Sequence, residues 1–205
     1  MWASLIGEDM ASRLNAQMEF LNEVEKLKLV YRKNRVIDRT RYENSAEHSW
    51  HVALMALVLA EHADGEPLNL LKVLTMILIH DLVEIYAGDT WAYDAHATQN
   101  QRVAEEASAE RIFSLLPTNQ AIQFLVLWDE FNAQSSPEAR FVACIDSLQP
   151  LSNHVLSGQP SEHEVRPARD RLIARKQHIA DSSKELWNIA KTIIDESVAK
   201  GLYVA

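Results

Sequence analysis

The stretch LNLLKVLTMILIHDLVE, Leu68–Glu84, decides the fold. It follows the breaker Gly65-Glu66-Pro67, runs almost wholly apolar to Ile79, and then sets the ionisable pair His80-Asp81 directly against that apolar run. Apolar residues recurring at three and four predict a helix that continues through His80 to Tyr86 and stops at Gly88. The run is too short and too interrupted to span a membrane. An imidazole and a carboxylate at the end of a buried helix are costly unless paired or bound to a cation, so a compensating group must come from elsewhere in the chain.

The same periodicity extends outward on both sides. Only 5 glycines and 6 prolines occur in 205 residues, which favours helices throughout. Leu14, Met18, Leu21 and Val24 predict an amphipathic helix over about Arg13–Val30. Asn44-Ser45-Ala46-Glu47 has the spacing of a capping box, and it opens an apolar run, Trp50 to Ala60, that reads as a central helix buried nearly all round. Further helices are predicted over about Thr98–Leu116, Asn119–Asn132 and Pro137–Leu156, with a last one over about Val165–Lys200 after the break at Gly158-Gln159-Pro160. The expected architecture is all-α, one compact helical bundle over residues 1–205, with the last helix packed on it.

Composition narrows the function. Twenty Lys plus Arg against 29 Asp plus Glu give a net charge of −9, which opposes binding to nucleic acid or to an anionic membrane surface. The single cysteine, Cys144, excludes a disulfide framework and multi-thiolate metal sites within one chain and suits a reducing compartment. Met1–Met10 carries Glu8 and Asp9 and no basic region, so it does not read as a signal peptide. These features together point to the cytoplasm.

Two more ionisable groups sit against apolar runs. His48 begins the Trp50–Ala60 helix, and Asp146 closes Phe141-Val142-Ala143-Cys144-Ile145-Asp146. Two accounts are open from the residues alone. In one, His80 and Asp81 cap a helix end and His48 is a satisfied core histidine. In the other, His48, His80, Asp81 and Asp146 meet around one ion, a mixed nitrogen and oxygen set suited to Mn, Fe, Co, Zn or Ni with positions left for water and substrate.

Ser45-Ala46-Glu47-His48-Ser49-Trp50, then His80-Asp81-Leu82-Val83-Glu84, then Gly88-Asp89, then Asp146 resembles the HD-domain metal-dependent phosphohydrolases, and more narrowly their 5′-deoxynucleotidase branch. Leu27-Lys28 followed by Arg32 also matches, as does Trp128-Asp129-Glu130-Phe131 leading through Gln134-Ser135-Ser136 to Glu138-Ala139. The resemblance spans about residues 27–156. It implies that His48, His80, Asp81 and Asp146 hold one divalent ion per chain, drawn from Mn, Co, Fe, Zn, Ni or Mg. Such an ion is a Lewis acid for a phosphoryl oxygen and yields a nucleophilic water at neutral pH. The resemblance also implies that Glu84 activates or orients that water, that Asp89 contacts the leaving group or organises the pocket, and that Arg32 binds the phosphate; with a raised pKa Asp89 could also protonate the 5′-oxygen. Glu84 lies three residues after Asp81, on the same helical face. A guanidinium fork suits a phosphate dianion.

The implied reaction is hydrolysis of (deoxy)nucleoside 5′-monophosphates to nucleoside and phosphate, by a homodimer. Alternatives are a phosphodiesterase or pyrophosphohydrolase acting on another nucleotide, and a noncatalytic nucleotide-sensing module. This chain departs from its relatives at Arg32-Lys33-Asn34-Arg35-Val36, where a tryptophan commonly stands beside the sugar. Trp91 or Tyr93 is a candidate stacking surface for the base instead.

Overall fold

The structure, a computed structural model, describes residues 2–88, 98–158 and 167–205. Helix α1 (Trp2–Val24) gives way to a 3-10 turn over Glu25–Leu29, so the predicted Arg13–Val30 helix both starts and ends earlier than expected. Lys26 pairs with Glu23, and Lys28 with Glu25, at the three-residue spacing that a 3-10 turn eclipses.

Residues for which the sequence predicts no helix form an antiparallel hairpin, β1 (Tyr31–Arg35) and β2 (Tyr42–Asn44), with Tyr31 opposite Asn44 and Arg35 opposite Tyr42. The Arg35 guanidinium lies over the Tyr42 ring. Strand β1 reads Tyr-Arg-Lys-Asn-Arg and has no apolar alternation to announce it. Packing from beyond the hairpin holds it: Arg39 Nε donates to the Ser157 carbonyl and Asn34 Nδ2 to that of Pro150.

The capping box forms as read. Asn44 Oδ1 accepts from the Glu47 amide at 2.9 Å and the Glu47 carboxylate accepts from the Asn44 amide at 3.3 Å, so helix α2 (Ser45–Leu59) has a fixed start. Its expected all-round burial is corrected by the structure. Val52 and Ala56 are fully buried, whereas Trp50 is 65% exposed and Leu54, Leu57 and Val58 are exposed as well. The helix is covered on only one side, and its opposite apolar face is left open.

The stretch that decides the fold becomes helix α3 (Leu70–Ile79), a 3-10 turn over His80–Val83, and the short helix α4 (Glu84–Ala87), which ends at Gly88 with φ 77°. The expected single helix therefore breaks at His80. The tighter turn has a consequence for the site, because residues three apart eclipse in a 3-10 helix and Asp81 and Glu84 are so spaced.

Helices α5 (Thr98–Phe113), α6 (Thr118–Ala133) and α7 (Pro137–Ser157) follow within a few residues of their predicted ends. Ser136 caps α7 by accepting from the Ala139 amide, with Pro137 in the first turn, where its missing N–H costs nothing. The predicted last helix is split into α8 (Arg169–Lys176), a 3-10 turn over Gln177–Asp181, and α9 (Lys184–Ala199). Ser183 caps α9 with its hydroxyl oxygen, and such local side-chain bonds compete with helix continuation.

The core has two parts. Phe141, Val142, Cys144 and Ile145 of α7 pack with Val52, Met76, Ile77 and Ile194, while Phe113, Ile112, Ile79, Leu82 and Trp128 form the second cluster. Burial pushes the Cys144 thiol up to about 12, which suits a core residue and not a nucleophile. His80-Asp81 falls on the seam, since Ile77 belongs to one cluster and Ile79 and Leu82 to the other.

Candidate metal centre

His48 lies in the first turn of α2 and is fully buried. Its Nδ1 is 3.0 Å from Gln149 Oε1, and Gln149 Nε2 donates to Glu43 Oε1 at 2.9 Å. A carboxylate only accepts, which turns the Gln149 amide nitrogen to Glu43 and its oxygen to His48. An amide oxygen also only accepts, so His48 carries its hydrogen on Nδ1. Nε2 then faces the centre, 2.9 Å from Asp146 Oδ1.

His80 is arranged in parallel. Its Nδ1–H donates to the Ile77 carbonyl at 2.6 Å, which aims Nε2 at Asp81 Oδ1, 3.1 Å away, and Asp146 Oδ1, 3.6 Å away. This buried Nε2 has no hydrogen-bond partner. Trp128 Nε1 donates to the His80 carbonyl, and the Phe131 ring meets the imidazole edge-on, so both aromatics of the Trp128–Phe131 segment brace this histidine.

Two imidazoles with both Nδ1 atoms already donating thus point their Nε2 atoms at carboxylate oxygens. That contact is repulsive between lone pairs unless a proton or a cation stands between them. Ligand atoms of His48, His80 and Asp146 all lie within 4.8 Å of one another, a cluster suited to one ion. Asp81 adds its carboxylate from the side, with Oδ2 3.9 Å from His48 Nε2. The electrostatics agree. Burial pulls the His80 imidazole down, but Asp81 and Asp146 outweigh it and raise it to about 9. Burial likewise pushes the Asp146 carboxyl up, and His48 and His80 more than reverse this, holding it well below the usual carboxylate range. The donor set fits a borderline divalent metal.

Arg32 reaches the centre from β1. Its Nη1 donates to Asp81 Oδ2 at 2.8 Å and lies 3.8 Å from Glu84 Oε1. Ser45 Oγ, fully buried at the start of α2, donates to Glu84 Oε2 at 2.6 Å. Glu84 is thereby held between the hairpin and α2. Of the other basic residues nearby, Arg41 makes two bonds to Glu47, and Arg39 is committed to Ser157. Asp89, Trp91 and Tyr93 lie outside the described residues.

The structure therefore brings His48, His80, Asp81, Asp146, Glu84 and Arg32 together. It adds Gln149, Glu43 and Ser45, which sequence reasoning missed. Gln149 carried a usable signal, since it follows Asp146 by three positions on one helix and so shares its face. His51, one turn after His48, sits against Gln149 Nε2 at 3.3 Å.

A predominantly α-helical protein with an Nε2-facing histidine pair and two aspartates at its centre defines a candidate metal site. A model of the HD domain matches residues 24–187. The chain is 30% identical over 148 residues to 5′-deoxynucleotidase HDDC2 of Homo sapiens, covering 72% of this chain and 68% of the relative. It is 26% identical over 163 residues to 5′-deoxynucleotidase YfbR of Salmonella typhi, covering 76% and 81%. The crystal structure of a predicted metal-dependent phosphohydrolase from Magnetospirillum magnetotacticum superposes with a TM-score of 0.87 at 39% identity, over 95% of this chain and 100% of that one. The chain belongs to the HD-domain family.

Proposed function

We propose that the protein is a divalent-metal-dependent phosphomonoesterase that hydrolyses (deoxy)nucleoside 5′-monophosphates to nucleoside and phosphate. The observation that carries this reading is the partnerless, buried His80 Nε2 beside Asp146 and His48, with Arg32 and Glu84 at the same centre. The names of the HDDC2 and YfbR relatives support the substrate class, and a net charge of −9 supports a small ester over a nucleic acid.

His48, His80, Asp81 and Asp146 would hold one ion, which when bound supplies Lewis-acid stabilisation to the phosphoryl group and an acidified water. Arg32 binds phosphoryl oxygens and absorbs charge that develops as the bond to the leaving oxygen breaks. Glu84 is fixed at Oε2 by Ser45; its Oε1 orients the attacking water and takes its proton. Asp89, which the resemblance puts at the leaving group or in the pocket, gives a proton to the departing 5′-oxygen, and Trp91 or Tyr93 supplies a stacking surface for the base.

The enzyme works in this reading as a cytoplasmic homodimer. The buried thiol of Cys144 suits a reducing compartment. An open apolar cleft of about 820 Å³ between α1, α3 and α6, lined by Leu21, Leu71, Leu78 and Phe124, supports a partner copy. Sedimentation equilibrium should give twice the 23.3 kDa chain mass.

The deciding experiment strips the protein, reloads it with Mn, Co, Mg, Zn, Fe or Ni, and measures phosphate release from 5′ and 3′ mononucleotides, ribo and deoxy. Metal-dependent release from 5′-monophosphates that is abolished in Asp81→Ala is the expected result. Release only from diesters or pyrophosphates would move the protein to another branch of its family. Inactivity on every ester would leave a nucleotide-binding module.

A further inference from the structure

The two strands of the hairpin reach the metal centre by different routes. From β1, Arg32 bonds directly to Asp81. From β2 the contact is indirect and runs through Glu43, the one buried residue of that strand. Glu43 is only 6% exposed, and a carboxylate is rarely sunk so far into a protein unless cations or several donors surround it. Its surroundings are sparse. Oε1 accepts from Gln149 Nε2 at 2.9 Å, while among the described residues Oε2 has no hydrogen-bond partner and lies 3.8 Å from His48 Nδ1.

An anchor for the hairpin does not need this charge. Asn34 of β1 already grips α7 with a neutral bond to the Pro150 carbonyl at 3.2 Å, at the residue next to Gln149. A buried charge is a poorer anchor than an apolar contact of similar size. What the carboxylate adds is direction. Gln149 Nε2 also faces His51 Nδ1, at 3.3 Å, so the amide is fully committed, with its oxygen accepting from His48 Nδ1–H.

Glu43 therefore lies on the Nδ1 side of His48, opposite the Nε2 that faces Asp146. With a cation at Nε2, Nδ1–H becomes more acidic, which strengthens its bond to Gln149 and, in turn, the bond from Gln149 to Glu43. Linkage makes this mutual: if an ion at His48 tightens the hairpin, a well-seated hairpin raises the affinity for the ion by the same factor.

Resting on the phosphomonoesterase reading, we propose that Glu43 is a positioning residue that couples metal occupancy to the phosphate-binding arm. At one end, through Gln149, it orders His48 for the ion; at the other, through the pairing of β2 with β1, it seats Arg32 on Asp81. The phosphate-binding guanidinium is then firmly placed only once the ion is bound, so the site assembles with metal first and ester second.

The test follows hydrogen exchange of residues 31–44 in chelated and Mn-saturated protein, beside calorimetric Mn affinity and thermal unfolding. It compares wild type, Glu43→Gln, Asn34→Ala and the exchange variant Glu43→Gln/Gln149→Glu. In wild type, Mn should slow exchange in the hairpin about tenfold. In Glu43→Gln, Mn affinity should fall about 10- to 100-fold, and at saturating Mn the hairpin should no longer respond. Asn34→Ala removes a hairpin bond that does not lead to His48, so exchange should quicken in both states while Mn affinity and the Mn response persist. The exchange variant offers a carboxylate at position 149 to His48 Nδ1–H and an amide donor at position 43 to that carboxylate, so it should recover both.

A hairpin that ignores Mn in wild type overturns the proposal, as does one that answers Mn equally in a folded Glu43→Gln. Loss of the Mn response in Asn34→Ala overturns it too, by reducing Glu43 to one of several anchors. If Glu43→Gln does not fold, the exchange variant decides: the Mn response supports the proposal, and a variant that lacks the response or does not fold overturns it. If wild type hydrolyses no monophosphate, the phosphomonoesterase reading fails on its own, while Mn affinity and hairpin exchange still decide the role of Glu43.

Discussion

Gln149 decides which nitrogen of His48 faces the centre. Its amide oxygen accepts from Nδ1 at 3.0 Å while its amide nitrogen is spent on the buried Glu43, so Nε2 is left as the only ring atom free for a ligand role. Gln149→Leu removes this constraint and strands Glu43. Partners that orient a metal-bound histidine are typically worth about 10- to 100-fold in metal affinity, and a drop of that size is expected in a calorimetric Mn titration. Leaving Glu43 without its donor should also lower stability by about 1–3 kcal/mol in a urea melt. Unchanged metal affinity would mean that the full burial of the His48 ring and the ion alone suffice to orient it.

Glu84 is separated from the ligands by its partners. Ser45 and Arg32 hold it, whereas His48, His80 and Asp146 hold one another. Glu84→Gln should therefore keep its metal while turnover falls by about 10²- to 10⁴-fold, the range for a positioned acid or base. Asp81→Ala should lose both. Metal content measured beside phosphate release separates the two variants.

Much of this site was legible because burial makes ionisable residues conspicuous. His80-Asp81 and Asp146 each abut an apolar run, and the capping box before His48 fixed where α2 begins. Ser45 gave no such signal, since its bond to Glu84 crosses between elements far apart in sequence. Strand β1 was invisible because its polar side chains are ordered by contacts with Pro150 and the β2 strand and not by an apolar period. The exposed face of α2 was misread for a related reason. A run of apolar residues says that a helix can be buried all round, but only the arrangement of neighbouring helices says which faces are covered.

Gly158 ties the hairpin to α7. Its φ is +64°, and a Cβ there would come within 2.9 Å of the Arg39 guanidinium, the group that bonds to the Ser157 carbonyl. Alanine at a positive φ costs about 1 kcal/mol or more, and the displaced Arg39 should loosen the hairpin that carries Arg32. Gly158→Ala is expected to lower the urea midpoint and to raise KM more than it lowers kcat. A KM equal to wild type would show that β1 holds Arg32 without help from this turn.

The metal-free protein should have a stability profile set by its two most perturbed site groups. His80 rises from an ordinary 6.5 to about 9 in the folded state, so its contribution is complete below about 6.5 and is lost as pH climbs through 9. Asp146 is depressed below an ordinary 3.8, so its contribution is present above 3.8 and disappears as pH falls through the lowered value. Thermal melts of chelated protein should therefore be highest between these limits and decline from about pH 6.5 to 8, above which loss of the proton from Lys176, whose ammonium burial lowers to about 8, offsets part of the fall. A divalent ion reverses the alkaline trend, because it binds the neutral imidazole and displaces the proton. Calorimetry of Mn binding near pH 7.5 in buffers of different ionisation enthalpy should then register about one proton released per ion. No proton release, together with a flat alkaline profile of the chelated protein, would show that His80 is already neutral and that the carboxylates do not hold a proton on it.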